Sequence, residues 1–429
     1  MKRRNPLVVT EAISHVLRYA KTGDVQYVSL FEANGHFLAE DVVADHPVPP
    51  FDRSPYDGFA VRSIDTQNAT THSPKILEVV GEVAAGDVFS GTVHEMEAVK
   101  IMTGGQIPQG CDAVIMQEAV KEVHYHEKTY IHVRRPILPN KNISFTGEDI
   151  ELGEVVVKAG QYITPGVVAL LATFGYSRVP VMKKPKVGIL VTGSELLEVN
   201  EPLEPGKIRN SNGYMIFGQI SRAGGVPVYL GRLTDDLEKN YKAIKSFLDE
   251  VDVLITTGGV SVGAYDYMPK IFSMLEANIL FDKLKMRPGS VTTVAAVGDK
   301  LIFALSGNPS ACFVGFELFA RPFIRSLAGA EKPLLETAIA RLGTDFLKTN
   351  PFDRFVRGKL SFMDGKLVAN PLGLDKSSVV SSLAEADVLI VFPAGTKGFK
   401  KGMLVQTIFL ERQQGSTFHD FNLENRWNS

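Results

Sequence analysis

The sequence predicts a multidomain protein of the α/β plus β class, with a three-layer α/β domain, an inserted β-rich domain and a C-terminal β-barrel-like domain. Strand-like and helix-like stretches alternate between residues 186 and 305, and the four strand candidates are almost continuously apolar. That pattern is typical of a parallel sheet with helices on both faces. Short strand-like runs separated by glycine and proline fill residues 75–140, and strand-like runs return after residue 335.

The length and charge of the chain limit its class. A chain of 429 residues exceeds what one core usually organises, so about two to four domains are expected. A net charge of −2 gives no basic face for nucleic acid, and no stretch stays apolar over the roughly 20 residues that a membrane span needs. The first residues predict a short amphipathic helix rather than an export signal. Cys111 and Cys312 show neither CxxC spacing nor a disulfide framework, so we expect a cytoplasmic protein with reduced thiols.

The order of these patterns predicts four domains. Four prolines in "DVVADHPVPPFDRSP" break regular structure near residue 45, and the helix-like "TPGVVALLATFG" is interpreted as a return to the layer that the chain left there. We therefore predict an N-terminal linker and dimerisation domain at 1–47 and 141–180, with the β-rich domain inserted at 48–140. The α/β domain takes 181–330. A small barrel or sandwich takes 335–412, where Asp364-Gly365 is a typical hairpin turn.

Polar, glycine-bearing turns follow the strands of the predicted parallel sheet. In such sheets ligands bind beyond the carboxyl ends of the strands, where loop and helix amides favour anions. The alternative is that these turns only connect the strands to the following helices and bind no ligand. The expected substrate-binding residues in these turns are Thr192, Gly193, Gly258, Gly259, Ser261, Gly307 and Asn308.

Charged residues accompany these turns. A set of carboxylates beside a phosphate cradle suits Mg²⁺, which takes one or two carboxylates together with ligand phosphates. Asp235 and Asp236 precede a helical pattern at 237–250, so at least one of them is expected to cap that helix. In "FDKLKMRPGS" every second residue is basic, so these residues share one face of the predicted strand. That face is either a solvated edge or an anion contact, and Arg287 is the best candidate for contacting an anion. The charged candidates are Glu195, Asp235, Asp236, Asp266, Lys283, Lys285 and Arg287.

Eight motifs occur together in an order that resembles one known family. They are "FDRSPYDGFAVR", "IMTGGQIPQGCDAVIMQE", "NISFTGEDIELG", "VTGSELLE", "GKIRNSN", "TTGGVSVGAYDY", "MRPGS" and "SGNPSA". The chain is similar to the molybdopterin molybdenumtransferases, the bacterial counterpart of the E domain of gephyrin. The resemblance extends from about Glu11 to Leu410, and the joint occurrence of the motifs is highly specific.

The resemblance implies the final step of molybdenum cofactor assembly. The family takes adenylylated molybdopterin and molybdate as substrates, uses Mg²⁺, inserts the metal at the dithiolene and releases AMP. It also implies an elongated homodimer of four-domain subunits, in which the segment around Asp57 faces the partner's α/β domain. The third domain shares its fold with molybdopterin adenylyltransferases, and such an enzyme is a possible second partner that the resemblance suggests.

The resemblance also carries functional residues onto this chain, motif by motif. It implies catalytic roles for Asp57, Thr103, Glu195, Asp235, Asp266, Lys283, Arg287 and Arg357, metal binding by Glu195, Asp235 and Asp266, and substrate contacts by Asp149 and Ser378. The chain departs from the family pattern at Ser194, where aspartate is frequent, at Ser290, where lysine is frequent, and at Ser306, where proline is frequent. Arg287 replaces another lysine and preserves its charge.

Two other functions remain open at this point. The α/β domain by itself would fit adenylyl transfer to molybdopterin, whereas the additional β-rich domains and the "PYDGFA" segment favour metal insertion. A non-catalytic scaffold is the third interpretation, against which the retained Asp57, Glu195, Asp235 and Asp266 argue.

Overall fold

The computed structural model describes residues 5–21, 23–233, 236–259 and 267–410. The helices are α1 (Val9–Leu17), α2 (Leu30–Ala33), α3 (Pro165–Thr173), α4 (Asn212–Ala223), α5 (Leu237–Glu250), α6 (Met268–Met274), α7 (Pro309–Gly315) and α8 (Arg321–Leu327), the last two joined by a π-helical turn, Phe316–Ala320. The strands are β1 (Val25–Ser29), β2 (Val42–Val43), β3 (Gly58–Val61), β4 (Lys75–Val83), β5 (Glu97–Ile101), β6 (Ala113–Met116), β7 (Val120–Tyr125), β8 (Lys128–Val133), β9 (Val155–Val157), β10 (Arg178–Met182), β11 (Lys186–Val191), β12 (Leu196–Leu197), β13 (Ile208–Arg209), β14 (Val226–Arg232), β15 (Val253–Thr257), β16 (Asn278–Phe281), β17 (Met286–Arg287), β18 (Thr293–Val297), β19 (Lys300–Leu305), β20 (Thr337–Leu342), β21 (Asp353–Met363), β22 (Lys366–Pro371), β23 (Val388–Phe392) and β24 (Leu404–Phe409).

The chain divides into two compact units. The first comprises the described residues of 1–39, 160–164 and 178–429, and the second comprises 40–159 and 165–177. This division is coarser than the four predicted domains, whose boundaries remain a prediction. None of the described helices has both the length and the apolar character that crossing a membrane requires.

A six-stranded sheet organises the α/β part of the first unit, in the order β14-β11-β15-β19-β18-β16. The four strands predicted from the sequence are parallel to one another, as expected. The sequence analysis missed β18 and β16; β18 runs antiparallel to both β19 and β16, which makes the sheet mixed. Gly298 and Asp299 join β18 to β19 as a two-residue hairpin loop, a signal that was present in the sequence.

Apolar residues cover both faces of this sheet, which confirms the three layers. Val187 and Ile189 of β11 pack with α1, α4, α7 and α8, whereas Leu190 of the same strand packs with α5 and α6. Successive strand residues point to opposite faces, so nearly continuous apolar strands are what a sheet buried on both sides requires. The α5 helix occupies the predicted range and begins at Asp236, whose carboxylate accepts a hydrogen bond from the Lys239 N–H.

The C-terminal strands of the first unit close into a five-stranded barrel. The sheet order β21-β22-β20-β24-β23 is completed by pairing of β23 with β21. The predicted hairpin is confirmed, since Met363 pairs with Lys366 across Asp364 and Gly365, both at positive φ. Of the two expectations, barrel and sandwich, the barrel is correct.

The second unit contains a six-stranded sheet in the order β6-β3-β5-β4-β8-β7. The sequence analysis missed β3, although all four of its residues are buried and it pairs with both β5 and β6. The first residue of β3 has to be glycine, because a Cβ at position 58 would lie 2.1 Å from the Ile115 carbonyl oxygen. This close approach fixes the residue that follows Asp57, and therefore the position of Asp57 at the start of a buried strand.

Candidate active site

Three strand-end turns of the α/β sheet meet at one edge. The Thr192 N–H and hydroxyl both donate to the Thr257 carbonyl oxygen, at 2.9 and 3.1 Å. Gly258 and Gly259 have positive φ, and a Cβ on either would lie within 3 Å of the Thr192 side chain. Only glycine combines this conformation with this approach. The predicted turn residues of β11 and β15 are therefore brought together.

Asn212 joins the third turn to the other two. Its buried side-chain amide donates to the Thr257 hydroxyl at 2.9 Å and to the Gly307 carbonyl at 2.8 Å. The Asn308 N–H in turn donates to the Ser306 hydroxyl at 3.2 Å. Asn212 is the last residue of the motif "GKIRNSN", but no role was predicted for it. The position of Asn212 between a strand and the start of a helix was the available signal. We call the three linked turns, which follow β11, β15 and β19, the turn rim.

Glu195 lies at the first turn of the rim, where its side chain is exposed. Gly193 has a φ of 142°, and a Cβ on it would lie 2.4 Å from a Glu195 carboxylate oxygen. The carboxylate thus rests against the glycine backbone. The Lys207 ammonium donates to the Ser194 carbonyl oxygen of the same turn, which places a positive charge one residue from Glu195.

Several predicted residues cannot be placed on the rim. Ser261, Asp235 and Asp266 lie outside the described residues. The neighbouring Asp236 is described, and it is the helix cap.

A cleft of about 270 Å³ lies where loops of the α/β sheet meet the C-terminal barrel. Its lining carries two arginines and one carboxylate. We call it the arginine cleft; it is lined by Arg287, Pro288, Gly289, Ser290, Val291, Ser306, Asn308, Ala311, Arg354, Asp375 and Ser377. Because Ser306 and Asn308 belong both to this lining and to the turn rim, the two features are continuous.

The basic residues of "FDKLKMRPGS" alternate in exposure as predicted. Lys283, Lys285 and Arg287 are exposed, whereas the intervening Leu284 and Met286 are buried. Of the three basic residues, Arg287 alone lines the arginine cleft. The alternation therefore identified the shared face, and the tertiary fold selects Arg287 from it.

The second arginine of the cleft, Arg354, was missed by the sequence analysis. It is only 8% exposed, and its guanidinium donates to Asp375 at 2.6 Å and to Asn350 at 2.8 Å. Lys348 donates to the same Asp375 oxygen at 2.9 Å. The strand β21 carries other charged residues, including Arg357, so no local signal distinguished Arg354, and its partner Asp375 lies in another loop.

Arg357, the arginine that the sequence analysis selected instead, is fully buried on the same strand. It donates to the Ser382 hydroxyl at 3.1 Å and to the Leu374 carbonyl at 3.1 Å, and burial lowers its pKa. Arg357 is absent from the lining of the arginine cleft and holds the 374–382 segment in place. Ser378, the predicted substrate contact in that segment, is exposed, and its neighbour Ser377 lines the cleft.

The 374–382 segment is also attached to the α/β layer. The Ser310 N–H donates to the Ser377 carbonyl at 2.9 Å, and the Ser310 hydroxyl donates to the Val379 carbonyl at 2.6 Å. Ser310 lies in the first turn of α7, directly after Asn308. One short stretch of the chain therefore fixes both walls of the arginine cleft.

Asp57 lies in the second unit, in a separate cleft of about 540 Å³. One of its carboxylate oxygens accepts hydrogen bonds from the Thr103 N–H at 2.7 Å and the Thr103 hydroxyl at 2.8 Å. These two bonds, the backbone one first, lower the pKa of Asp57. The pairing of Asp57 with Thr103 was implied by no spacing in the sequence. We call this the Asp57 cleft; it is lined by Pro55, Tyr56, Asp57, Thr103, Met116, Gln117, Glu118 and Ala119.

The segment that carries Asp57 is tied to its neighbours through the backbone. The Ser54 N–H donates to the Gly105 carbonyl oxygen at 3.0 Å, and the Ser54 carbonyl oxygen accepts from the Gly104 N–H at 2.8 Å. Asp149, the other predicted residue of this unit, is exposed, and its N–H donates to the Val48 carbonyl at 3.0 Å. Asp149 does not line the Asp57 cleft, so its substrate contact stays a prediction.

Three family models match the chain in sequence order. Residues 7–175 match the MoeA N-terminal region (domain I and II), residues 188–326 match a probable molybdopterin binding domain, and residues 339–410 match the MoeA C-terminal region (domain IV). Together these matches include both clefts and the turn rim.

Relatives and solved structures are similar over almost the whole chain. The molybdopterin molybdenumtransferase of Bacillus subtilis (strain 168) is 50% identical over 416 residues, which cover 97% of either chain. That of Staphylococcus aureus (strain COL) is 45% identical over 412 residues, 96% of this chain and 97% of the relative. The crystal structure of the molybdopterin biosynthesis moeA protein from Pyrococcus horikoshii OT3 has a TM-score of 0.81 and 33% identity, covering 95% of this chain and 100% of that chain.

Proposed function

Since the chain belongs to the molybdopterin molybdenumtransferase family, we propose that it inserts molybdenum into adenylylated molybdopterin and releases AMP. This is the molybdenum insertion step of cofactor biosynthesis. The observation that supports the proposal best is the continuity of the turn rim with the arginine cleft through Ser306 and Asn308. Two anions that react with each other, a pyrophosphate and an oxyanion, need two adjoining binding sites of this kind.

Molybdate, a dianionic substrate, is assigned to the arginine cleft. Arginine suits such a ligand because its planar fork of N–H donors matches oxyanion geometry. Arg354 is held rigidly by Asp375 and Asn350, while Arg287 is exposed and available to a ligand. The negative charge of Asp375 offsets part of the charge of the two arginines, so the net charge of the cleft is only slightly positive. That charge is sufficient to bind molybdate and weak enough to release it for insertion.

The pyrophosphate of the organic substrate is assigned to the turn rim. The Gly258 N–H already donates to the Leu305 carbonyl oxygen, so the assignment relies on the other backbone amides of these turns, at loops and helix starts that favour anions. Mg²⁺ is the expected cofactor. The exposed Glu195 carboxylate, seated against Gly193, is a hard oxygen ligand of the kind that Mg²⁺ prefers. Glu195 would hold the ion together with Asp235 and Asp266. The bound Mg²⁺ would neutralise part of the negative charge of the phosphates.

Cleavage of the adenylate linkage needs positioning and charge neutralisation more than a protein nucleophile. The chain supplies positioning through the fixed turn rim and positive charge through Arg287, Lys283 and Lys207. Asp57 stays ionised because its pKa is lowered, so it can accept a hydrogen bond or a proton but does not serve as an acid at neutral pH. We further propose a cytoplasmic homodimer in which Asp57 acts with Glu195, Asp266 and Arg287 of the partner subunit, and a molybdopterin adenylyltransferase as supplier of the substrate.

The test is AMP release by the purified protein from adenylylated molybdopterin. Release should require both molybdate and a divalent cation, and chromatography of the nucleotide products measures it. The Glu195→Gln variant should lose most of this release while keeping its stability, because it removes a carboxylate assigned to Mg²⁺ at an exposed site. Vigorous release without molybdate, or in excess chelator, would contradict the proposal. Formation of pyrophosphate from ATP and molybdopterin would instead indicate adenylyl transfer.

A further inference from the structure

Two tyrosines share one carboxylate beside the first turn of the rim. The Tyr214 hydroxyl donates to Glu198 at 3.2 Å, and the Tyr229 hydroxyl donates to the other oxygen of the same carboxylate at 2.9 Å. Their rings are nearly parallel, with centroids 6.0 Å apart and planes at 27°. Tyr214 belongs to α4 and Tyr229 to β14, so two different elements are joined at this point.

Both rings are exposed although their hydroxyls are bound. Tyr214 is 47% exposed and Tyr229 is 37% exposed. Asn210 fixes the pair further, since its amide donates to the Tyr229 hydroxyl at 3.0 Å and its carbonyl oxygen accepts from the Gly213 N–H at 2.9 Å. The hydrogen bonds thus orient two aromatic surfaces toward solvent. Rings fixed in advance lose little conformational entropy when a ligand contacts them.

Proton transfer is not what this arrangement favours. Burial of the hydroxyls and the adjacent Glu198 carboxylate raise the pKa of both Tyr214 and Tyr229. Both groups therefore remain neutral through the physiological range. What the pair can offer a ligand is the faces of its rings.

The position of the pair relates it to the reaction. Glu198 follows Glu195 by three residues, which limits the separation of their Cα atoms to about 10 Å. The intervening β12 pairs with β13, and the Asn210 N–H donates to the Leu197 carbonyl at 2.8 Å. The tyrosines are therefore attached to the same short two-stranded parallel ladder, which Glu195 directly precedes.

We propose that Tyr214 and Tyr229 form a stacking ledge for a nitrogen heterocycle of the substrate. This inference rests on the proposed function, because that substrate carries two such rings, an adenine and a pterin, on either side of its pyrophosphate. Every such ring has a π-face that an aromatic side chain can stack on, whatever its hydrogen-bonding edge. Glu198 and Asn210 are positioning residues for the ledge.

The experiment measures binding of AMP and of pterin separately, by equilibrium dialysis, to the full chain and its variants. Tyr214→Ala should weaken binding of one of the two ligands about tenfold, the usual loss when a stacking ring is removed. Tyr214→Phe keeps the ring and should stay within about twofold of the wild type. Tyr125→Ala removes a tyrosine that is 65% exposed in the second unit and is the matched control. Circular dichroism confirms that each variant is folded.

Selective loss of AMP binding would assign the adenine to the ledge, and selective loss of pterin binding would assign the pterin. Unchanged binding of both ligands in folded Tyr214→Ala and Tyr229→Ala proteins would overturn the inference. If Tyr214→Ala does not fold, the same comparison is made with Tyr229→Leu. A wild type that binds a heterocycle through the ledge but releases no AMP would overturn the proposed function alone. Normal AMP release with an unchanged KM in both alanine variants would overturn the ledge alone.

Discussion

The Asp57 cleft and the arginine cleft are opposite in charge and in construction. Among the described residues, the lining of the Asp57 cleft carries the acidic Asp57 and Glu118 and no basic side chain. The arginine cleft is lined by Arg287 and Arg354 with one carboxylate, Asp375. The first is held by backbone hydrogen bonds between loops of one sheet, and the second is assembled from two different layers of the fold.

The difference follows from the cost of burying charge. Asp57 is exposed, so water solvates it, and two hydrogen bonds from Thr103 are sufficient to orient it. Arg354 is buried, and a buried cation needs an opposite charge and further acceptors. Asp375 provides the opposite charge from a loop 21 residues away, and Asn350, four residues before Arg354, provides a further acceptor. An exposed carboxylate therefore needs only hydrogen-bond donors to orient it, whereas a buried arginine also needs an opposite charge beside it.

The largest effect is expected for Arg354→Met. It leaves Asp375 in the interior with Lys348 as its remaining basic partner, and it removes a cation from the cleft. We expect the free energy of unfolding to fall by about 3 kcal/mol, together with nearly complete loss of AMP release. Urea denaturation and the AMP assay measure the two effects. A variant of wild-type stability would mean that the Arg354–Asp375 pair does not hold the cleft together.

Asp57→Asn should abolish most turnover while leaving thermal unfolding close to the wild type, because the side chain is exposed and asparagine can still accept from Thr103. Loss of a hydrogen-bond or proton acceptor usually costs about 10²-fold or more in rate. Co-purified heterodimers of Asp57→Asn and Arg287→Ala chains extend the test. One mixed cleft then carries neither lesion if the site is shared between subunits. Activity no higher than that of either mutant homodimer would reject the shared site.

Arg287→Ala should reduce turnover about tenfold or more, with unfolding free energy within about 0.5 kcal/mol of the wild type because the residue is exposed. Arg287→Lys should be milder, since the charge is retained although the fork is lost. Steady-state kinetics at varied molybdate concentration distinguishes the two variants. Lys285→Ala is the control, because that residue shares the exposed face but does not line the cleft. Equal losses in the Arg287 and Lys285 alanine variants would remove Arg287 from the site.

The smallest effect is expected for Thr103→Val, which removes one of the two hydrogen bonds to Asp57 and keeps the backbone one. The pKa of Asp57 is lowered by these bonds, so losing one should raise it part of the way toward its ordinary value. The acid limb of the pH–rate profile should then move to higher pH. Carbon-13 NMR titration of the Asp57 carboxyl group measures the shift directly. An unchanged pKa would mean that the Thr103 hydroxyl does not contribute.

Most of the fold could be predicted from local patterns. The parallel strands, the α5 helix and the Asp364-Gly365 hairpin each have a signal within a short stretch, namely an apolar run, a helical repeat behind capping residues, or a turn dipeptide. The strand β3 was missed because its "GFAV" lies within the motif "FDRSPYDGFAVR", which was interpreted as functional. The edge strand β16 and its neighbour β18 were missed because strand–helix alternation favours a purely parallel sheet.

The sequence by itself determined which residue types the sites use: glycines where a turn needs positive φ, exposed carboxylates, and an arginine beside a proline and a glycine. Tertiary structure alone decided which of these residues meet. It selected Arg287 over Lys283 and Lys285, brought Arg354 rather than Arg357 into the cleft, and joined three turns through Asn212. The physical reason is that a conformational requirement acts within a few residues, whereas a buried charge or amide is stabilised by partners that only the folded chain brings within hydrogen-bonding distance.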